Sequence, residues 1–448
     1  MQPLKIDISG VRGIIGETLV PEMIINFACA FGTYLKGGKV GVGCDTRASR
    51  EMVKSAVLSG LISTGCDIVD LGICPTPIIQ YTAKHLGLKG AIAITASHNN
   101  SNWNALKFIK ADGTFLNFYE GEELLDIYHQ GEFKKAAWDN LGRVTKNAAA
   151  IDLYMDKLCK YLDAGRIRRK RLKVAIDNCN GAGGEAAGIF MKKLGCRLVM
   201  INDEITGVFS HDPEPTSANM EQLSSIIKPV KADVGFMLDA DVDRVAICTE
   251  QGKPLSEEYT FALLADYILS KRRGPVVTNF STSRMIDDIA KKYGVKLIRT
   301  KIGQAYIIEE MMDEGGVISG EGSGSVAVGD FQYASDGFLA MGLILQMLSE
   351  KKRKISELSA ALPKYHMVKK KITCPPDIIY SVIDRAKRHY KDGDVDLADG
   401  VKVEWKDSWL HIRASNTEPL IRVLAESTSK EKAEELCGAA VANIKAEM

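Results

Sequence analysis

Three times along this chain, short apolar runs alternate with stretches of helical periodicity, and each time the third run stops abruptly on a polar loop. The first block predicts strands near Lys39–Gly43, Asp67–Leu71 and Ala91–Thr95. The second predicts them near Lys173–Asp177, Arg197–Ile201 and Asp233–Leu238, and the third near Pro275–Phe280, Val295–Thr300 and Gly316–Ser319. Apolar positions three and four apart predict helices in between, such as Arg284–Tyr293 and Gln304–Asp313. Alternation of this kind builds α/β units, whose ligands sit beyond the carboxyl ends of the strands. The last stretch breaks the cadence. A helix near Ile378–Tyr390, strands near Val401–Trp405, Trp409–Ala414 and Ile421–Glu426, and a helix near Ser429–Ala446 describe a small α+β unit.

The polar loops carry the candidate chemistry. Ile92-Ala93-Ile94 ends on Thr95-Ala96-Ser97-His98-Asn99-Asn100, where a serine beside a histidine is a candidate activated nucleophile. Alone, the dipeptide fits an ordinary polar turn equally well, since neighbouring strand residues face opposite ways. After Val234–Leu238 comes Asp239-Ala240-Asp241-Val242-Asp243-Arg244. Three carboxylates with no histidine or thiol nearby form an all-oxygen site that suits Mg²⁺ or Ca²⁺. With Glu250 they also fit positions of a calcium-binding EF-hand loop, but that loop needs glycine where Arg244 stands and helices where Val245–Thr249 reads as a strand. A cation site beside an arginine points to an anion held by both. In Ser319-Gly320-Glu321-Gly322-Ser323-Gly324-Ser325 the glycines permit close backbone approach, and Glu321 with Ser323 can bond sugar-like hydroxyls. Its spacing matches neither the dinucleotide fingerprint nor the P-loop. Arg413-Ala414-Ser415-Asn416-Thr417-Glu418-Pro419, followed by Arg422, combines guanidinium groups, hydroxyls and a turn at Asn416 suited to the left-handed region. That is equipment for a phosphate monoester.

Taken in order, these four loops resemble the active-site loops of the α-D-phosphohexomutases, and the resemblance covers nearly the whole chain. It implies four domains around a central cleft: three related α/β units with mixed sheets plus a C-terminal α+β domain. The corresponding boundaries are 1–147, 148–250, 251–360 and 361–448. It further implies a mutase that interconverts sugar 1-phosphate and sugar 6-phosphate through a phosphoserine enzyme and a bisphosphorylated sugar. By motif position, Ser97 carries the phosphoryl group and, with Asp239, Asp241 and Asp243, holds Mg²⁺. Arg12, His98, Lys107 and Arg244 offset the negative charge, and His98 holds or shuttles a proton. Lys107 stands at the family's base position, a role expected to need a pKa lowered by desolvation and positive neighbours. Glu321 and Ser323 hold ring hydroxyls, while Arg413, Ser415, Asn416, Thr417 and Arg422 hold the distal phosphate. The resemblance also implies a sugar 1,6-bisphosphate activator and a monomer or homodimer.

Some positions depart from the family pattern. Ser325 replaces a frequent histidine, Asn100 a usual proline, and Ile6-Asp7-Ile8-Ser9 the usual opening before Gly10-Val11-Arg12-Gly13. Ala240 stands where glycine is commoner, which implies that this position needs no positive φ. The sugar loop and Asn102-Trp103-Asn104-Ala105-Leu106-Lys107 look most like the archaeal and Bacteroidetes-type phosphoglucosamine mutases. The same loops serve glucose and mannose phosphates, so a phosphoglucomutase/phosphomannomutase is the alternative. A Mg²⁺-dependent sugar phosphatase and a non-catalytic phosphosugar-binding protein are remoter ones.

Composition narrows the partners. With 58 basic and 57 acidic residues the net charge is +1, which removes any electrostatic case for nucleic acid or membrane. No apolar stretch is long enough to span a bilayer, and Met1–Gly10 lacks a signal-peptide core. The ten cysteines form no C-x-x-C pair, so buried reduced thiols in a cytoplasmic enzyme are expected. The basic runs Lys351–Lys354 and Lys369–Lys371 are expected as solvated surface around a linker.

Overall fold

The computed structural model describes residues 5–7 (backbone only), 10–390, 393–415 and 420–448. Its first three sheets share one plan. In the first, the parallel strands Gly38–Cys44, Cys66–Ile73 and Gly90–Ile94 are followed by an antiparallel return, Trp103–Lys110, paired to Gly90–Ile94. In the second, Val245–Thr249 returns antiparallel beside Val234–Leu238, which pairs parallel with Lys173–Asp177 and through it with Arg197–Ile201. In the third, Val326–Val328 returns beside Ile318–Gly320, next to Val276–Asn279 and Leu297–Thr300. Across each sheet the spatial order is return, third, first, second. Each polar loop therefore lies between a strand's carboxyl end and its antiparallel return. The first sheet gains Gly10–Ile14 and Lys5–Asp7 on one edge and Val144–Lys146 on the other.

The expected strands are present to within a residue or two at most ends, but several observed strands were unforeseen, and two of these bear on the site. Trp103–Lys110 carries buried Asn104 and Lys107, which break the apolar pattern of a core strand. His366–Thr373 carries three consecutive lysines and is an edge strand, where charge is tolerated. It opens a five-stranded antiparallel sheet with Leu420–Ser427, Ser408–Ala414, Val401–Glu404 and Asp394–Asp396. Helices Ile379–Ala386 and Lys430–Glu447 cover that sheet with their own apolar core, including Val382, Cys437 and Ile444.

The other core is shared. One continuous apolar cluster runs from Ile78 and Ala91 through Phe190 and Phe236 to Phe261, Ile318 and Leu345. It fuses the second and third units with one face of the first. The helix Gly337–Lys351 is almost wholly buried within it, and a Cβ at Gly342 would lie 2.4 Å from Leu162. All ten cysteines are unpaired and eight are buried. Among the described residues, no helix is long and apolar enough to cross a membrane.

Candidate active site

The Ser97 loop is held from behind by groups at the end of another strand. Gly38–Cys44 runs out into Asp45-Thr46-Arg47, and the buried Arg47 guanidinium donates to the carbonyls of Ser97 (2.8 Å), Asn99 (2.7 Å), Asn100 and Trp103 (3.0 Å). Its Nε pairs with Asp45 Oδ2 at 2.9 Å, and the ring of Phe209, from the second unit, covers it at 4.8 Å. Asp45 Oδ2 also accepts from Thr95 Oγ1 at 2.7 Å, and Thr95 Oγ1 accepts from the Ser97 amide at 3.0 Å. The loop is thereby fixed with Ser97 at φ 49°, in the left-handed region. Ser97 is buried, and its Oγ donates to Asp239 Oδ2 at 2.7 Å, with His98 Nδ1 3.5 Å away.

Lys107 reaches the same point because its strand returns alongside, pairing Lys107 with Ala93 on one side and Gly10 on the other. That close pairing requires glycine at position 10, where φ is 143° and a Cβ would lie 1.9 Å from the Leu106 carbonyl. Two residues on, Arg12 donates to Asn99 Oδ1.

Asp239, Asp241 and Asp243 are buried and converge, each offering an oxygen within 4.8 Å of the others. The loop's left-handed residue is Val242, at φ 64°, an uncommon conformation for a β-branched side chain. Ala240 is not among the positive-φ residues, in keeping with the sequence reading. Thr76 fixes Asp241 from two sides, Oγ1 to Oδ2 at 2.6 Å and amide to carbonyl at 2.9 Å. Burial, then the charges of Asp243 and Asp241, push the Asp239 carboxyl well above its usual range. Burial pushes Asp241 the same way, but Lys107 outweighs it and holds Asp241 at about 2. Asp241 Oδ1 and Asp243 Oδ1 are buried without a hydrogen-bond partner. Orphaned carboxylate oxygens in an all-oxygen cluster are what a hard divalent cation would satisfy, so the residues present fit one.

Lys107 departs from expectation. Burial would lower its pKa, but Nζ lies 2.7 Å from Asp241 Oδ2 and 2.9 Å from Asp243 Oδ2, and these charges raise it instead. The lysine is held as an ammonium by two carboxylates of the aspartate cluster. His98 behaves oppositely. Burial, then Arg244, Arg12 and Arg422, hold its imidazole well below the usual value, so it is neutral at pH 7. Arg244 donates its amide to Asp239 Oδ1 at 3.1 Å and sets its Nε 3.6 Å from Asp243 Oδ1.

In the third loop Glu321 accepts from Asn279 Nδ2 at 2.7 Å and from Ser325 Oγ at 3.4 Å. Ser325 thus braces Glu321 rather than supplying a titratable ring. Ser323 Oγ is buried with no partner. In the fourth unit, Arg413 and Arg422 sit directly opposite one another on adjacent strands. Like charges so placed are destabilising, which favours an anion between them. Burial, partly opposed by Asp399, lowers the Arg413 pKa, and Arg422 lowers it further. Arg422 Nε lies 3.4 Å from Ser415 Oγ. Asn416 and Thr417 fall outside the described residues.

All four units border one cleft of about 390 Å³, within the range of small-molecule sites. Ser97, His98, Lys107 and Arg12 line one part, Asp243 and Arg244 another, Glu321 and Ser323 a third, and Arg413, Ser415 and Arg422 a fourth. Lys369, Lys370 and Lys371 line it too, which corrects their reading as plain solvated surface. Arg47, Asp45, Thr76 and Asn279 escaped the sequence reading. Asp45-Thr46-Arg47 carried a usable signal, since it too follows the carboxyl end of a parallel strand.

The comparisons with known proteins agree with this geometry. Models of the phosphoglucomutase/phosphomannomutase α/β/α domains I, II and III match residues 4–135, 152–252 and 256–365, and that of the C-terminal domain matches 350–443. A phosphoglucomutase/phosphomannomutase of Thermococcus kodakarensis is 37% identical over 95% of both chains. A probable phosphoglucosamine mutase of the same organism is 34% identical over 96% of both. The crystal structure of a phosphoglucomutase/phosphomannomutase family protein from Burkholderia thailandensis superposes with a TM-score of 0.86 at 26% identity, covering 99% of this chain and 97% of that one. With the loops of four units meeting at one cleft and all four domain models matched in order, the chain belongs to the phosphoglucomutase/phosphomannomutase family of α-D-phosphohexomutases, isomerases that move phosphate between sugar positions.

Proposed function

We propose that Ser97 is the phosphoryl carrier of this mutase and that its preferred substrate is a glucosamine phosphate. The observation that supports the carrier role is the 2.7 Å contact of Ser97 Oγ with a buried, three-carboxylate cluster that also holds Lys107, in one cleft with the opposed Arg413 and Arg422. Mg²⁺ held by Asp239, Asp241, Asp243 and the Ser97 oxygen would neutralise carboxylate charge and polarise a phosphoryl group there. The phosphoryl group passes from Ser97 Oγ to the free sugar hydroxyl: the serine P–O bond breaks, the sugar P–O bond forms, and the hydroxyl proton goes to Lys107, which could accept it only as the free amine, with Asp241 and Asp243 engaged by the cation instead of holding it as an ammonium. Arg12 and Arg244 stand where they can bond the transferring oxygens. Neutral His98, with Nδ1 3.5 Å from Ser97 Oγ, can hydrogen-bond there without adding charge.

The bisphosphorylated sugar then turns, and its other phosphate passes to Ser97 while Lys107 returns the proton to the leaving oxygen. Arg413, Ser415 and Arg422, with Asn416 and Thr417, hold whichever phosphate is not reacting. Glu321 and Ser323 hold ring hydroxyls in both poses, and a sugar 1,6-bisphosphate would recharge Ser97 when the intermediate escapes.

The similarity to both kinds of Thermococcus kodakarensis mutase keeps glucose and mannose phosphates as the second reading. Conversion of glucosamine, glucose and mannose 1-phosphates to their 6-phosphates, assayed side by side, tests the sugar. Peptide mass spectrometry locating phosphate on Ser97, and its loss together with activity in Ser97→Ala, tests the carrier. Full activity in Ser97→Ala would falsify the scheme.

A further inference from the structure

The strand His366–Thr373 joins the fourth unit to the cleft in a way the scheme above does not use. Its register places Lys371 opposite Arg422, which in turn faces Arg413, so Lys371, Arg422 and Arg413 form one row across three strands. Lys369, two residues along, projects from the same face. Its Nζ lies 2.9 Å from Glu257 Oε1, 3.0 Å from Glu258 Oε1 and 3.1 Å from the carbonyl of Gly322. Gly322 sits between Glu321 and Ser323, so a side chain of the phosphate-binding unit bonds directly to the backbone of the sugar loop.

The partners of Lys369 are themselves fixed. Glu258 is 4% exposed, and its second oxygen accepts from the Ser283 amide at 3.1 Å. A Cβ at position 322 would lie 2.1 Å from Glu258 Oε1, so only glycine lets the loop rest against that carboxylate. Burial would raise the Glu257 carboxyl, yet Lys369 holds it below its usual range. Without Lys369, two carboxylates border a cleft meant for an anionic sugar with no cation between them. Arg284 and His411 also bridge the third and fourth units, to Trp405 and Ser281, but those contacts lie outside the sugar loop.

We infer that Lys369 is a positioning residue that latches the sugar loop to the phosphate-binding sheet, so that gripping the distal phosphate and setting Glu321 and Ser323 become one event. The inference rests on the reading of Glu321 and Ser323 as sugar ligands. The test uses the full-length enzyme with glucosamine 1-phosphate and glucose 1-phosphate, in Lys369→Met, Lys369→Arg and Glu321→Gln. Lys369→Met should raise KM about tenfold, the scale of one lost charge-assisted hydrogen bond. It should also increase bisphosphate release per turnover, and speed hydrogen exchange in the peptide spanning 320–326 of the free enzyme. The change in kcat should be smaller, and Lys369→Arg should recover most of each effect.

Wild-type KM and exchange in Lys369→Met would overturn the latch. So would a fall in kcat at unchanged KM with lowered thermal stability and no rescue by arginine, since that is a purely structural role. If Glu321→Gln raises KM while Lys369→Met does not, the latch alone is wrong. A silent Glu321→Gln removes the sugar-loop reading, and the latch with it.

Discussion

Replacing Arg47 by lysine separates the placement of Ser97 from the chemistry at Ser97. The native guanidinium reaches five acceptors: the Asp45 carboxylate and the carbonyls of Ser97, Asn99, Asn100 and Trp103. An ammonium has three donors, so at least two acceptors lose their partner. Hydrogen bonds to charged groups are worth about 1.5–3 kcal/mol each, so holding the loop in place weakens by about 3–6 kcal/mol before relaxation. The loop is short and buried, and it relaxes by moving Ser97 relative to Asp239 and Lys107, which belong to other elements. Misplacement of a reacting group by about 1 Å costs about 100-fold in rate. Arg47→Lys should therefore lower kcat by about that factor while leaving KM within a few fold, because Glu321, Arg413 and Arg422 are untouched. Steady-state assay of sugar 1-phosphate conversion measures it, and intact-mass analysis shows how much enzyme still accepts phosphate. Wild-type kcat with full phosphorylation of Ser97 would refute the argument that Arg47 sets the serine's position.

Mg²⁺ should raise the melting temperature, by an amount equivalent to about 2.7 kcal/mol at a hundredfold excess over Kd. Asp241→Asn should abolish that shift along with turnover, whereas a shift unchanged in Asp241→Asn would move the cation elsewhere. Arg413→Ala should raise KM about 10- to 100-fold and release the bisphosphate during turnover, while Lys107→Ala should lower kcat with little change in KM. Equal effects of the two on both parameters would contradict the division of labour. Burial depresses the His411 pKa from 6.5 to about 4, so the unfolded chain binds the proton first as pH falls. Stability should then decline through the window from 6.5 towards 4, by about 2 kcal/mol at pH 5. Urea melts at pH 7 and pH 5 should show that component missing from His411→Gln, and its persistence there would place the loss on other groups.

Ser97, the three aspartates and Glu321 were legible as candidates because each follows an apolar run that ends abruptly in polar residues, and Arg413 with Arg422 because two guanidinium groups flank one polar turn. What hid from the sequence was polar material placed inside regular structure. Trp103–Lys110 is a buried strand, yet its apolar pattern is interrupted by Lys107, which pairs with Asp241 and Asp243, and by Asn104, which bonds to Ser49. Three lysines in a row made His366–Thr373 look like solvent-facing coil, although an edge strand tolerates them and Lys369 has acidic partners. Arg47 was passed over although Asp45-Thr46-Arg47 follows a strand end, because its acceptors are backbone carbonyls some fifty residues away, to which no side-chain pattern points. The pKa of Lys107 was misjudged for a related reason: burial was foreseeable, but its pairing with Asp241 and Asp243 is a tertiary fact.

The antiparallel return that carries Lys107 has a consequence for a molecule that must react at both ends. Gly90–Ile94 leads straight into the Ser97 loop, and Trp103–Lys110 is bonded to that strand along its length. The distance from the proposed carrier to the proposed base is therefore set by one sheet's hydrogen-bond ladder and is indifferent to the width of the cleft. The sugar loop and the paired arginines belong to separate sheets, the latter with a separate core. On the proposed scheme, movement of the fourth unit would give the sugar room to reverse without disturbing the spacing at which either end reacts. Both half-reactions then meet the same chemical geometry, and variants that loosen contacts between units should leak intermediate without slowing phosphoryl transfer itself.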